Sequence, residues 1–340
     1  MNKKYAIVMS GGGAKGAFQV GALQFIHEVI LEKYKGELEP LVYSGVSVGC
    51  LNATMLGQDK YKTLLDVWRN LDNDQVYTGQ VKVLPAVWRI LRGKKGILSY
   101  EPLDKLVRTH IKKNDFVHRT LIGAVSLVDG KYYSYSQDDF ADDKTLQDGV
   151  LASSLMPVFW EPIRTLKSKK GDVFQAVDGG LRNNSPLKDV LVDENAGGRP
   201  DVIFIINYAP FSFKKEKPLI PNEKAADNIF NIAKRSLVDI ALNEVFLNDL
   251  QEFLRINHLV KQAGSQNVTL TSLSGRPLKY FKPVLISPVI ELGDALDFGP
   301  EMNKKRWNHG YEAAKAAFHN FNINDDSNGN TNLSTPSLTL

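Results

Sequence analysis

Two short apolar runs, at residues 5–9 and 41–46, each end in a glycine-rich turn that leads directly into a helical pattern. A buried strand followed by a tight turn and a helix is the repeating unit of a parallel sheet. In such sheets the loops that carry function gather beyond the carboxyl ends of the strands. The chain is therefore expected to be an α/β protein with a mainly parallel central sheet. Both glycine turns are expected at the same sheet edge.

The rest of the chain continues this mixture of strands and helices. Further strands are predicted at residues 121–128, 131–136, 173–177, 202–207 and 284–286, with a tight hairpin turn at Asp129-Gly130. Helices are predicted at about 17–31, 50–56, 225–262 and 303–321. The simplest division is one catalytic domain over residues 1–321, with a cap or insertion at about 75–115. Residues 322–340 are polar without an apolar period and are expected to be a disordered tail.

Composition excludes several classes of protein. The single cysteine, Cys50, rules out an internal disulfide framework and favours a reducing, cytoplasmic location. No apolar run approaches the roughly 18 residues of a membrane span. A net charge of +4 is too small to indicate nucleic-acid binding. No metal-binding or cofactor motif stands out, so none is predicted.

The first turn, Gly11-Gly-Gly-Ala-Lys-Gly16, matches the G-x-G-x-x-G pattern of dinucleotide-binding loops. That pattern also requires an acidic residue at the end of the next strand, where this chain instead has a second glycine turn. Backbone N–H groups exposed by glycine and backed by a helix amino terminus stabilise negative charge. The charge is either a phosphate, in a nucleotide-binding module, or the oxyanion of an acyl-transfer intermediate.

The second turn, Gly45-Val-Ser-Val-Gly49, has the pattern of a nucleophile elbow. In an elbow, a sharp turn between strand and helix exposes a serine hydroxyl above the sheet. Glycine is needed at both flanking positions because side chains there would collide with the strand and the helix. Ser47 is therefore the candidate nucleophile.

A serine nucleophile needs a base. None of the six histidines lies in a turn motif, although His258, His309 or His319 could complete a triad with Ser47. Asp178 is a better candidate, because it ends a predicted strand and is followed by Gly179 and Gly180. Of the other Asp-Gly pairs, Asp129-Gly130 is explained by the hairpin and Asp148-Gly149 by the start of a helix before Val150.

These three motifs, in this order, resemble those of the patatin-like phospholipases. The segment Ala152-Ser-Ser-Leu-Met-Pro157, with Phe159 and Pro162, is similar to the family's segment before its Asp strand. Asn184 and Pro186 resemble its Asn-x-Pro, and Gly310-Tyr-Glu-Ala-Ala314 its closing helix. The resemblance covers about residues 4–320 and is tightest before residue 60 and between 150 and 190.

The resemblance implies a three-layer α/β/α fold and a Ser–Asp dyad without histidine. Ser47 matches the nucleophile and Asp178 the base, with Gly179 and Gly180 after it. The oxyanion hole falls on Gly11, Gly12 and Gly13, to which we add the amide of Val48 from the elbow geometry. Lys15 and Gly16 support the loop, and the elbow glycines are Gly45 and Gly49.

Between residues 75 and 100 the chain has five basic residues and no acidic one. A tryptophan and four of these cations form a candidate lipid contact: Trp88, Arg89, Arg92, Lys94 and Lys95. A basic amphipathic segment of this kind can lie on anionic lipid. Alternatively it is an ordinary cap helix with solvated cations.

The expected function is hydrolysis of fatty-acyl esters of phospholipids or lysophospholipids at a peripheral membrane surface. The alternative is an acyl hydrolase or transferase that acts on soluble esters or thioesters, since the same dyad would serve both. The need for an activator, the oligomeric state and the head-group preference do not follow from the sequence.

Overall fold

The computed structural model describes residues 2–80, 82, 85, 89, 91–193, 195–211, 227 and 229–324. Its strands form one eight-stranded sheet: β1 (Lys3–Met9), β2 (Leu38–Gly45), β3 (Arg119–Ser126), β4 (Tyr132–Ser136), β5 (Ile163–Leu166), β6 (Val173–Asp178), β7 (Val202–Ile206) and β8 (Lys282–Ile286). The strand order is β5-β6-β3-β2-β1-β7-β8, with β4 paired to β3. Strands β3, β2, β1, β7 and β8 are parallel, and β4, β5 and β6 join antiparallel. The mainly parallel sheet predicted from the sequence is confirmed.

Helices cover both faces of the sheet. They are α1 (Gly16–Phe25), α2 (Val48–Gly57), α3 (Tyr61–Asn70), α4 (Glu101–His110), α5 (Asp143–Ser154), α6 (Leu187–Val192), α7 (Ile229–Ala233), α8 (Leu242–Ser265) and α9 (Pro300–Ala317). A π-helical stretch, Ile26–Leu31, prolongs α1, and another, Lys234–Ala241, joins α7 to α8. Among these helices, none combines the length and apolar composition that crossing a bilayer requires.

The alternation of side chains along β1 shows how the three layers are held together. Ile7 and Met9 belong to the core beneath α1, α2 and α9, whereas Ala6 and Val8 belong to the core beneath α6 and α8. Successive residues of a strand point to opposite faces, so a strand covered on both sides is apolar throughout. The α/β/α arrangement expected from the resemblance is thereby confirmed.

Most predicted elements are present, with bounds shifted by a few residues. The hairpin turn at Asp129-Gly130 joins β3 to β4 as predicted. The first residues of the predicted helix at 225–262, namely 225, 226 and 228, lie outside the described residues. Helices α3, α4 and α6 and strand β5 were not predicted.

The helix start assigned to Asp148-Gly149 is wrong. Helix α5 begins at Asp143, and its cap is Asp142, whose side chain accepts a hydrogen bond from the Thr145 amide at 2.8 Å. Asp148 lies in mid-helix and pairs with Arg108 at 2.9 Å. The Asp142-x-x-Thr145 spacing satisfies the donors of the first turn, and this signal outweighs the Asp-Gly pair.

The predicted tail begins slightly too early. Ile323 is only 1% exposed, and its carbonyl accepts a hydrogen bond from Lys3 Nζ at 2.6 Å. Ile323 is therefore packed onto the domain, while its neighbours Asn322 and Asn324 are exposed, and residues 325–340 lie outside the described residues.

Candidate active site

Ser47 occupies a sharply bent turn between β2 and α2. Its φ of 55° and ψ of −132° are unusual for a residue with a side chain, and such strain is typical of functional positions. A Cβ on Gly45 would lie 2.2 Å from the Gly49 carbonyl, and one on Gly49 would lie 2.4 Å from the Met9 carbonyl oxygen. Only glycine fits at both positions, because the strand and the helix approach each other this closely.

The turn is held from the side by the end of helix α5. The Ser47 amide donates to the Ser153 carbonyl at 2.9 Å, and Ser154 Oγ donates to the Ser47 carbonyl at 3.3 Å. Both serines are buried. Their role was not inferred from the sequence, although they lie in the Ala152–Pro157 segment that carries part of the family resemblance.

Asp178 is the last residue of β6 and is 1% exposed. Its Oδ1 accepts a hydrogen bond from the Gly180 amide at 2.8 Å, while its Oδ2 is buried and has no hydrogen-bond partner among the described residues. Burial raises the pKa of Asp178 to about 7, and the Gly180 amide and the Ser47 hydroxyl oppose this rise. Ser47 is thus close enough to stabilise the carboxylate, although the pair does not meet full hydrogen-bond geometry.

The two residues after Asp178 allow its close approach to the site. A Cβ on Gly179 would lie 2.4 Å from the Gly123 carbonyl oxygen, so β6 and β3 could not meet there with a larger residue. A Cβ on Gly180 would lie 3.0 Å from Asp178 Oδ1. The glycines therefore bring the carboxylate to the sheet edge where Ser47 lies.

The glycine loop follows β1 at the same edge. Gly12 and Gly13 have φ values of 155° and 56°, and glycine adopts the second of these without strain. The Gly11 amide donates to Asn184 Oδ1 at 3.1 Å, so this amide is already used within the protein. The amides of Gly12, Gly13 and Val48 donate to no acceptor among the described residues. These three are the available donors for a developing anion.

Asn184 is fully buried and joins the glycine loop to the other side of the sheet. Besides accepting from Gly11, its Nδ2 donates to the Leu242 carbonyl at 3.1 Å and to Tyr208 Oη at 3.3 Å. Lys15 is also buried, with Nζ 4.9 Å from the centre of the Tyr208 ring. Gly16 lets α1 pack closely, since a Cβ there would lie 2.3 Å from a methyl group of Val48. Lys15 and Gly16 thus lie beside the glycine loop, packed against Tyr208 and Val48.

A cavity of about 140 Å³ opens from Ser47 and Asp178, roughly ten times the space that one water molecule requires. The glycine loop, Ser47, Asp178 and Asn184 form its polar end. Its remaining wall is mostly apolar and comes from α2, α3, α4 and the segment around Phe298. The arrangement is therefore a nucleophile and a buried carboxyl group at the end of an apolar chamber.

The histidine alternative receives no support from this geometry. His258, His309 and His319 do not line the cavity. His110 does line it, at the end of α4, and burial lowers its pKa.

The predicted lipid-contact residues divide into three groups. Trp88 lies outside the described residues. Arg89 donates to the carbonyls of Gly96 and Leu98, at 3.0 and 3.1 Å, and so holds together the segment at residues 89–98. Arg92, Lys94 and Lys95 are exposed, with Lys94 at 4.0 Å from Glu161.

Comparisons with known proteins show which proteins this chain resembles. A family model described as patatin-like phospholipase matches residues 7–191, more than half of the chain. A cGAMP-activated phospholipase of Escherichia coli (strain TW11681) is 22% identical over 315 residues, covering 80% of this chain and 84% of that protein. A cGAMP-activated phospholipase of Vibrio cholerae serotype O1 is 29% identical over 205 residues, covering 54% of this chain and 56% of that protein.

Among solved structures, VipD from Legionella pneumophila aligns with 94% of this chain and 67% of its own. The identity is 15% and the TM-score is 0.44. We infer nothing about this chain from so distant a similarity.

Proposed function

Because the chain belongs to the patatin-like phospholipase family, we propose that it hydrolyses fatty-acyl esters of phospholipids or lysophospholipids through a Ser47–Asp178 dyad. One observation carries the proposal. The strained Ser47 and the unpartnered Oδ2 of the buried Asp178 meet at the polar end of an otherwise apolar cavity. An unsatisfied buried carboxylate oxygen is costly and calls for a functional reason.

Asp178 acts as the general base. A carboxylate is ordinarily a weak base, but burial raises the pKa of Asp178 to about 7, where proton affinity suits catalysis at neutral pH. Oδ2 takes the proton of Ser47 while Oγ attacks the ester carbonyl carbon. The alcohol part of the lipid then leaves with this proton, and the acyl group remains on Ser47. A water molecule, deprotonated by the same carboxylate, attacks the acyl-enzyme and releases the fatty acid.

The oxyanion formed in each step is stabilised by backbone amides. Gly12, Gly13 and Val48 supply donors, and Val48 begins α2, whose amino terminus favours negative charge. Gly11 contributes indirectly, because its amide is held by Asn184 and so fixes the start of the loop. Lys15 acts as a support and not as a catalyst.

The apolar cavity fits an acyl chain. Ser47, Leu51 and Met55 all line it and follow one another at intervals of four residues, which places them along one face of α2. At 1.5 Å per residue, the cavity follows this helix for about 12 Å from the nucleophile. A long hydrocarbon substituent would be buried along this face while its ester lies at Ser47.

The surface near the cap suits a lipid bilayer. Leu91 is 78% exposed and is followed by Arg92, Lys94 and Lys95, which are exposed as well. Val158, on the adjoining segment, is 43% exposed, and its carbonyl accepts a hydrogen bond from the Ile97 amide at 3.1 Å. Apolar side chains flanked by cations match the chemistry of an anionic membrane surface.

Regulation forms part of the proposal. Two relatives are named as cGAMP-activated phospholipases, and the similarity to one of them extends over 84% of its length. We expect cGAMP to increase the rate of hydrolysis by this chain. An unchanged rate at saturating cGAMP would remove this part of the proposal and leave the dyad untouched.

The test is product analysis with matched serine variants. Wild type, Ser47→Ala and Ser44→Ala are incubated with mixed phospholipids and with acyl-coenzyme A thioesters, with and without cGAMP, and released fatty acids are quantified. Ser44 is buried three residues before the nucleophile and its hydroxyl has no partner among the described residues, so Ser44→Ala controls for loss of a buried hydroxyl.

We expect Ser47→Ala to lose phospholipid hydrolysis and labelling by a fluorophosphonate probe, and Ser44→Ala to keep both. Hydrolysis by Ser47→Ala would refute the dyad. If wild type cleaves acyl-coenzyme A thioesters but not phospholipids, this result would favour the alternative function, a hydrolase or transferase of soluble acyl compounds.

A further inference from the structure

A buried arginine on the last described helix lies behind the glycine loop. Arg306, on α9, is 2% exposed. Its guanidinium donates to three carbonyls of one short loop: Leu292 at 2.7 Å, Asp297 at 2.6 Å and Asp294 at 2.8 Å. The loop at residues 292–297 is therefore wrapped around a single side chain.

This loop touches the glycine loop directly. The Ala295 carbonyl accepts a hydrogen bond from the Ala14 amide at 2.8 Å, and Arg306 Nη1 approaches the Ala14 carbonyl at 3.4 Å. A Cβ on Gly13 would lie 2.3 Å from the same Ala295 oxygen. Both polar groups of Ala14, the residue that follows Gly13, are thus fixed by Arg306 and by the loop it organises.

The packing of two helices brings Arg306 to this place. A Cβ on Gly21 of α1 would lie 1.9 Å from the Trp307 carbonyl oxygen, and one on Gly310 of α9 would lie 1.9 Å from the Phe18 carbonyl oxygen. Helix α1 starts where the glycine loop ends. The reciprocal glycine contacts therefore join α9 to the helix that the loop leads into, and they set the distance between Arg306 and Ala14.

Burying a guanidinium without strong partners is unfavourable, and here burial lowers the pKa of Arg306. The compensation comes from carbonyl groups on two loops and from the nearby charges of Asp297 and Asp294. Lysine could not replace this arrangement, because its ammonium lacks the planar fork that reaches several carbonyls at once. The side chain is thus specifically matched to holding the two loops together.

We propose that Arg306 is a positioning residue that fixes the amides of Gly12 and Gly13 for stabilising the oxyanion. The inference rests on the proposed function, since it assigns Arg306 to the same site. Arg306 does not contact the reacting atoms; it acts through Ala14 and the 292–297 loop. A misplacement of about 1 Å in a catalytic group lowers rates by up to about 100-fold. We therefore expect Arg306→Lys to lower the rate of each active molecule by about 10- to 100-fold.

The experiment separates the rate of each active site from the number of folded sites. Full-length wild type and variants are titrated with a fluorophosphonate, which gives the labelled fraction and the labelling rate constant, and hydrolysis of a short chromogenic ester is expressed per labelled site. Arg119→Lys is the matched control. Arg119 is the first residue of β3 and forms a salt bridge with Asp193, including one contact at 2.8 Å. Asp178 pairs with Ala124, near the other end of β3, so Arg119 lies away from the site.

A second, gentler variant keeps the inference testable if Arg306→Lys fails to fold. Gly293 has a φ of 76° and only Arg306 Nη2 near its Cβ position, at 3.6 Å, so Gly293→Ala strains the loop without a collision. Gly275→Ala is its control, because Gly275 has a φ of 80° and no atom within 4 Å of its Cβ position. We expect Gly293→Ala to slow labelling measurably and Gly275→Ala to leave it unchanged.

The labelling rate per site and the labelled fraction distinguish a positioning role from a purely structural one. Slower labelling and slower turnover per site in Arg306→Lys and Gly293→Ala, with both controls at wild-type rates, support the positioning role. A reduced labelled fraction with wild-type rates per site would mean that Arg306 only stabilises the fold, and would overturn the inference. If wild type itself is labelled at Ser47 neither with nor without cGAMP, the proposed function fails, which is a result distinct from either.

Discussion

The environment of Asp178 predicts that removing the proposed base stabilises the protein. Burial raises the pKa of this carboxyl group from 3.8 to about 7, so the folded state binds its proton more tightly than the unfolded chain does. At about 1.4 kcal/mol per tenfold change in proton affinity, the ionised form of Asp178 costs up to about 4 kcal/mol of folding free energy. Asn resembles the protonated acid in shape and carries no charge. Asp178→Asn should avoid this cost.

The sign of the effect depends on pH in a defined way. Between about pH 4 and pH 7 the folded protein retains a proton that the unfolded chain has lost, so the stability of wild type falls as the pH rises. Above about pH 7 both states are ionised and the full cost is present. Asp178→Asn should therefore exceed wild type by only about 1 kcal/mol at pH 4.5 and by up to about 4 kcal/mol at pH 8. Activity follows the opposite course, since wild-type kcat/KM should rise through about pH 7 as the base ionises.

Urea-induced unfolding at pH 4.5 and pH 8 measures the difference, with ester hydrolysis followed on the same preparations. Asp178→Asn is expected to lose nearly all activity while gaining stability at pH 8. The exposed Asp172→Asn, six residues earlier, serves as the control and should change neither property. Equal stability of wild type and Asp178→Asn at both pH values would refute the reasoning, because it would mean that the buried carboxylate carries no net cost.

Two further predictions concern the substrate. Met55→Trp, about 12 Å along α2 from Ser47, should obstruct the far end of the cavity and lower hydrolysis of long-chain esters at least tenfold, with butyryl esters little changed. Met55→Leu is the control, and an equal loss for both chain lengths in a folded Met55→Trp would contradict the acyl-chain assignment. Reversing the charges of Lys94 and Lys95 to Glu should abolish cosedimentation with anionic vesicles, while the same change at the exposed Lys304 and Lys305 of α9 should not. Binding that is independent of lipid charge in wild type would instead indicate an ordinary cap.

The candidate site residues that the sequence indicates most directly are those whose local signal lies within a few residues of the chain. Ser47 was recognisable because the elbow requires glycine at two nearby positions, and close backbone contacts show why. Asp178 was recognisable because it ends a strand and precedes two glycines. Asn184 was visible only as part of the family resemblance. It accepts a hydrogen bond from Gly11, which is 173 residues away along the chain, and no local sequence pattern predicts such a contact.

The same reasoning explains why the hydrogen bonds of Arg306 to the 292–297 loop and to Ala14 could not be predicted from the sequence. An arginine in an amphipathic helix normally indicates a solvated face, whereas this one is buried because two glycines, Gly21 and Gly310, let α1 and α9 approach closely. Its contact with Ala14 spans 292 residues. Long-range hydrogen bonds of this kind depend on the packed fold and are not encoded in local spacing.

The glycine loop is held in part by residues that lie beyond the region matched by the family model. The family model ends at residue 191, and within that range lie Ser47, Asp178 and the glycine loop. Two supports of the loop come from beyond it, since Asn184 is held by the Leu242 carbonyl and Ala14 by the Ala295 carbonyl. A strained backbone such as that of Ser47 persists only when the surrounding structure holds it in place, and a buried oxygen without a partner, such as Asp178 Oδ2, has an energetic cost that the rest of the fold must offset. We therefore expect changes in the later helices α8 and α9 to alter the proposed reaction through the geometry they impose on residues far earlier in the chain.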